Sequence, residues 1–138
     1  MPRILLTTLC FAATLAAAEP RVTNAVLGLD KVEKDGGYEI AKPTNTFFPD
    51  TPKIVCVFKI EGASVGTSLN SVWIAENVGE AAPPNYKIAE KKLTLPFMNS
   101  GEVSLSMPDA GWPTGSYRLE LYLGDKLVTT VRFNVEPE

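Results

Sequence analysis

The sequence predicts an all-β domain built as two packed antiparallel sheets of seven to eight strands. Three observations carry this reading. No apolar repeat of helical period holds for three turns anywhere in the chain. Short runs of alternating apolar and polar residues recur instead, each closed by a break of Gly, Pro, Asn, Asp or Ser. The last two runs, Ser116–Leu123 and Leu127–Glu136, flank Gly124-Asp125-Lys126 as hairpin strands flank their turn.

The leader comes first. Residues 1–18 carry one positive charge, Arg3, then an apolar run from Ile4 to Leu15, and close on Ala16-Ala17-Ala18. That is the layout of a secretory signal peptide, with cleavage expected after Ala18. The run is shorter than the roughly 20 residues a bilayer span needs, and no basic stop-transfer cluster follows it. Leu9 precedes Cys10 where a lipoprotein signal wants a small residue, so lipid attachment is not expected there. The mature chain, Glu19–Glu138, is then one exported domain, periplasmic or extracellular, with no membrane span. At that length it buries about two-thirds of its unfolded surface.

The mature elements follow in order. Val22–Val32 is a strand with Val22, Asn24, Val26 and Gly28 on one face and Ala25, Leu27 and Leu29 on the other. Asp35-Gly36-Gly37 breaks it, and a short extended piece, Tyr38–Ala41, leads into the turn-rich KPTNTFFPDTP. Lys53–Glu61 reads as the central strand, because both of its faces are largely apolar. Its alternation puts Ile54, Cys56, Phe58 and Ile60 together, so Cys56 is expected to be a buried, unreactive thiol. Cys56 is the only cysteine of the mature chain, and one cysteine closes no internal disulfide.

In TSLNSVWIAE, Leu69, Ser71, Trp73 and Ala75 share a face. Pro83-Pro84 interrupts the chain and excludes a central strand there. Tyr86–Leu95 is the next strand, and GEVSLSMP sets Val103, Leu105 and Met107 inward. For the final hairpin, a two-residue Gly124-Asp125 loop sets Leu119 opposite Thr130 and Tyr117 opposite Arg132. A three-residue loop, Gly124 to Lys126, sets Leu123 opposite Leu127 and Tyr117 opposite Phe133. The second register buries the apolar set and is the one expected, although a bulge would correct the first.

Gly115-x-Tyr117-x-Leu119, entering the next-to-last strand after a proline-containing corner, resembles the G-x-Y-x-C tyrosine corner of immunoglobulin-like domains. The resemblance implies that the Tyr117 hydroxyl bonds back to corner backbone and that Leu119 points into the core. By the same comparison Cys56 resembles the core cysteine of strand B and Trp73 the core tryptophan of strand C. The cysteine's partner falls at Leu119, so the resemblance implies a disulfide-free version. Pro113 stands where many such domains carry aspartate, and the Cys56 to Trp73 spacing is longer than in antibody domains. With its terminal W-P-x-G-x-Y…F-x-V hairpin, the mature chain resembles the single immunoglobulin-like domains that bacteria export.

The chemistry is narrow. There is no histidine, which removes the commonest general base, the Ser-His and Cys-His pairs and most zinc sites. Asp30, Glu33 and Asp35 precede two glycines but lack the alternating oxygen ligands and distal glutamate of a calcium loop, so no metal or cofactor is expected. The other carboxylates are scattered among turns. The chain carries 13 basic and 16 acidic side chains, so no basic stripe is left for nucleic acid or an anionic membrane surface.

Four aromatics are candidate binding residues. Phe47 and Phe48 sit in a loop, either with one ring exposed or as a plug closing one end of the sandwich. Trp112, beside Pro113, either stacks on a ligand or caps the core beneath the corner. Tyr122 faces away from the Tyr117 set. The expectation is a non-catalytic exported module that contacts another envelope or secreted protein, including an inhibitor-type role. The alternative is a small-ligand or carbohydrate binder using the loop aromatics.

Overall fold

The computed structural model describes residues 19–94 and 100–138. The expected leader, and Leu95 at the close of the expected Tyr86–Leu95 strand, lie outside the described residues. The strands are β1 (Arg21–Lys34), β2 (Gly37–Pro43), β3 (Thr46–Phe47), β4 (Lys53–Glu61), β5 (Ser68–Asn77), β6 (Tyr86–Thr94), β7 (Ser100–Ser106), β8 (Gly115–Leu123) and β9 (Lys126–Val135). They form a four-stranded sheet in the order β2-β1-β4-β7 and a five-stranded sheet in the order β3-β9-β8-β5-β6. All pairings are antiparallel except β3 with β9. The sandwich expected from the alternation is present. Its additional strand, the two-residue β3, falls inside the turn-rich stretch.

The core lies between the sheets. Ile54, Cys56, Phe58 and Ile60 of β4 face Leu69, Trp73 and Ala75 of β5 and Tyr117, Leu119, Leu121 and Leu123 of β8. A single turn of 3-10 helix, Gly79–Ala81, precedes the double proline, and no α-helix occurs among the described residues.

Three local expectations need correction. Val22 and Leu27 are both buried although strict alternation sets them on opposite faces. A register shift between Thr23 and Val26, with Asn24 at φ 52°, inserts the residue that flips the faces. The final hairpin keeps Tyr117 opposite Phe133 but turns on two residues, with Leu123 opposite Lys126. A bulge between Leu121 and Tyr122 reconciles the two registers. Met107 lies beyond the end of β7 and is exposed.

β1 belongs to two layers. Its first half pairs with β4 up to Gly28 opposite Val55, and its second half pairs with β2 from Gly28 onward. Past Gly28 the β1–β2 hairpin lies across the outer face of β4 and β7: Lys31 reaches Glu102 at 2.9 Å, and Gly37 sits against Ser100. Any side chain at Gly28 would overlap Ile40, so the fold-over needs glycine there.

Candidate binding surfaces

The corner end is a closed aromatic cluster. Tyr117 stacks on Phe133 with ring centroids 5.2 Å apart, and its hydroxyl donates to the Pro113 carbonyl. The expected tyrosine corner is therefore formed, with a proline carbonyl as acceptor. Burial pushes the Tyr117 phenol up to about 12. Trp112 meets Tyr117 edge-on at 6.1 Å and donates its indole N–H to the Thr51 carbonyl at 2.8 Å. Phe133 meets Phe47 at 5.6 Å and Trp73 at 6.0 Å, also edge-on. Trp112 and Phe47 are buried to 2% and 1% exposure. They are the cap and the plug, and neither ring is presented to a ligand.

Phe48 is different. β3 pairs Phe47 with Val135, which turns Phe47 inward and leaves Phe48 outside at 43% exposure. Its loop is braced on several sides. Thr51 Oγ1 accepts from the Phe48 N–H at 3.0 Å, and the Thr51 N–H donates to the Phe48 carbonyl at 3.0 Å. The Trp112 N–H donates to the Pro49 carbonyl at 2.9 Å. The Met107 N–H donates to the Pro52 carbonyl, which brings a second exposed apolar residue to the same end. These bonds fix the backbone that carries the exposed ring before anything binds.

Tyr122 lies on the outer face of the five-stranded sheet, half-buried, and donates to Glu120 Oε1 at 3.0 Å. That hydrogen bond raises its phenol above the ordinary value. Arg118 pairs with Glu76 at 3.4 Å and Glu120 at 3.3 Å and donates to Asn85 at 2.8 Å, while Arg132 reaches Glu76 at 3.3 Å. These charges partner one another, and Val72 and Ile74 are buried on the same face among them. Tyr122 is thus held within a self-satisfied network and lies far along β8 from the corner cluster.

A cleft of about 570 Å³ opens between the folded-over hairpin and β4. Val26, Asp35, Tyr38, Ile40, Val57 and Lys59 are among the residues that line it. Sequence reasoning missed this cleft. The available signal was the second apolar face of β4: Val55 and Val57 point away from the core, yet are 0% and 7% exposed because the hairpin covers them.

Asp30 Oδ1 accepts from the Lys31 N–H at 2.8 Å, and Asp35 occupies the hairpin turn at φ 50°. Among the described residues no three His, Cys, Asp or Glu side chains gather as cation ligands. Cys56 is fully buried, and desolvation pushes its thiol up to about 12, so it has almost no thiolate at neutral pH.

The solved structure of an immunoglobulin-like protein from Pseudomonas aeruginosa matches this chain with a TM-score of 0.56 at 18% identity. The match covers 88% of this chain and 99% of that one. The fold is immunoglobulin-like. Cys56 and Leu119, the two positions likened in the sequence to the disulfide pair of immunoglobulin-like domains, are both fully buried. A β-D-glucoside glucohydrolase from Trichoderma reesei matches at 15% identity and a TM-score of 0.46, over 86% of this chain and 19% of that enzyme. No protein-family model matches the sequence. No curated protein matches it either.

Proposed function

We propose that this chain is an exported, non-catalytic binding module that contacts another envelope or secreted protein through its Phe48 end. The observation that carries the reading is the exposure of Phe48 on a loop braced through Thr51 and Trp112. A rigid aromatic anchor loses little conformational freedom on binding, which is what concentrates affinity in a few residues of a protein interface. Its exposed apolar neighbour Met107 favours a protein surface over a sugar, which needs polar partners for its hydroxyls around the stacking ring. The leader-like segment at residues 1–18 supports export.

The test is affinity capture from envelope and culture fractions with the wild type and Phe48→Ala. Specific partners retained by the wild type should fall away with the variant. An identical captured set for both proteins would end the Phe48 reading. The carbohydrate alternative predicts glycan-array binding that Phe48→Ala abolishes.

A further inference from the structure

The four sheet edges of the sandwich are unequally defended. β3 is two residues long. β2 ends in Lys42, at φ 57°, and Pro43. β6 carries Lys87, Lys91 and Lys92 and a register shift where it passes Trp73 and Ile74. Short length, lysines, proline and bulges all discourage a strand edge from recruiting another strand. β7 has none of them. It runs seven residues, Ser-Gly-Glu-Val-Ser-Leu-Ser, in unbroken register with β4, and among the described residues no strand pairs with its other edge.

Beside that edge lies a slot of about 300 Å³ between β7 and β6. Trp73, Ala89, Leu93, Val103 and Leu105 line it with apolar surface; Glu90 and Glu102 also line it but are engaged by Lys87 and Lys31, whereas exposed Lys91 has no ion pair among the described residues. We propose that the β7 edge docks an extended segment of a partner polypeptide, which adds a strand to the four-stranded sheet and seats alternate apolar side chains in the slot. The chemistry selects this occupant. Regularly spaced backbone donors and acceptors along an edge are matched by another extended backbone, and a slot beside the edge reads alternate side chains. Lys91 favours a segment with an acidic residue beside it. A second copy of this chain docked about a twofold axis fits less well, because continuing both sheets sets the lysine-bearing β6 edges against each other.

The proposal is independent of the Phe48 surface, and so is its test. The purified protein is panned against a phage-displayed library of eight-residue segments, and amide exchange is measured with an enriched peptide bound. Enriched peptides should alternate apolar residues, carry an acid, and slow exchange in Ser100–Ser106. Ala89→Arg, which fills the slot, should weaken peptide binding about tenfold or more. Leu93→Glu, at an exposed position, should do the same if Ala89→Arg fails to fold. Lys91→Glu should shift the selection from acidic to basic peptides, and Phe48→Ala should leave binding unchanged. The proposal is overturned by a selection without enrichment, by protection confined to other strands, or by equal binding of peptides with proline at every second position. Protection of β7 arising from a concentration-dependent dimer without peptide would overturn it in favour of a second copy.

Discussion

The corner end and the folded-over hairpin are both covered apolar surfaces, yet they are held by different physics. At the corner, five rings centred on Phe133 and Tyr117 interlock at centroid distances of 5.2 to 6.1 Å, and the polar tips of Trp112 and Tyr117 both reach backbone carbonyls. The hairpin covers Val55 and Val57 but leaves an open cleft beneath it and leans on one partly exposed ion pair, Lys31 with Glu102. The first is cross-braced through several elements. The second is a layer that one bend at Gly28 lays over a finished sheet. Burial alone does not distinguish them; the number of independent restraints does.

The comparison breaks first at Trp112. Trp112→Ala removes the cap and the brace to Thr51 together, and should cost about 3–5 kcal/mol by denaturant unfolding. A loss no larger than that of the hairpin variants below would put the two regions on equal footing. Alkaline pH should act first through the core, because the Lys31 ammonium of the hairpin is held above its ordinary value by Glu102. Cys56 and Tyr117 both have folded pKa values of about 12, above their ordinary values of 9.0 and 10.0. The unfolded chain therefore releases these protons first, so stability is full below about pH 9 and drains away as pH rises toward 12. In Cys56→Val the early part of that decline should disappear from the pH profile of the unfolding midpoint.

Gly28→Val should displace Ile40 and cost about 1–3 kcal/mol. Faster amide exchange should appear in Gly37–Pro43 while β8 stays protected. Tyr117→Phe, which loses only the bond to Pro113, should cost about 0.5–1.5 kcal/mol. An unchanged denaturation midpoint would show that stacking on Phe133 does all the holding at the corner. Glu102→Gln should be the smallest, below about 1 kcal/mol, because its ion pair with Lys31 is partly exposed and screened by solvent. Its effect should shrink further in high salt.

The corner was legible in the sequence because its determinants are local. Gly115, Tyr117 and Leu119 sit at fixed offsets, and the register that buries the apolar set places Tyr117 opposite Phe133, as the structure does. The loop itself was misread, because a bulge costs one residue and leaves no mark in an apolar pattern. Alternation separated Phe47 from Phe48 only once β3 was known to pair with Val135, a contact between residues distant in sequence. The hairpin was illegible for a related reason. The doubly apolar β4 announced a cover for its outer face, but nothing local to Val55 or Val57 names the segment that supplies it. The exposed β7 edge was equally hidden, since an edge is defined by the strand that is not there.

The ion pair between Glu19 and Lys126 places the start of the described chain at one end of β9, and Val135, beside Phe47, marks the other. A strand of that length separates the two ends by about 30 Å. An immobilising bead coupled at Glu19 therefore holds the molecule by the end away from Phe48. A tag placed after Val135 lies next to that end instead. The placement of the handle will decide whether a capture experiment reads the Phe48 surface or masks it.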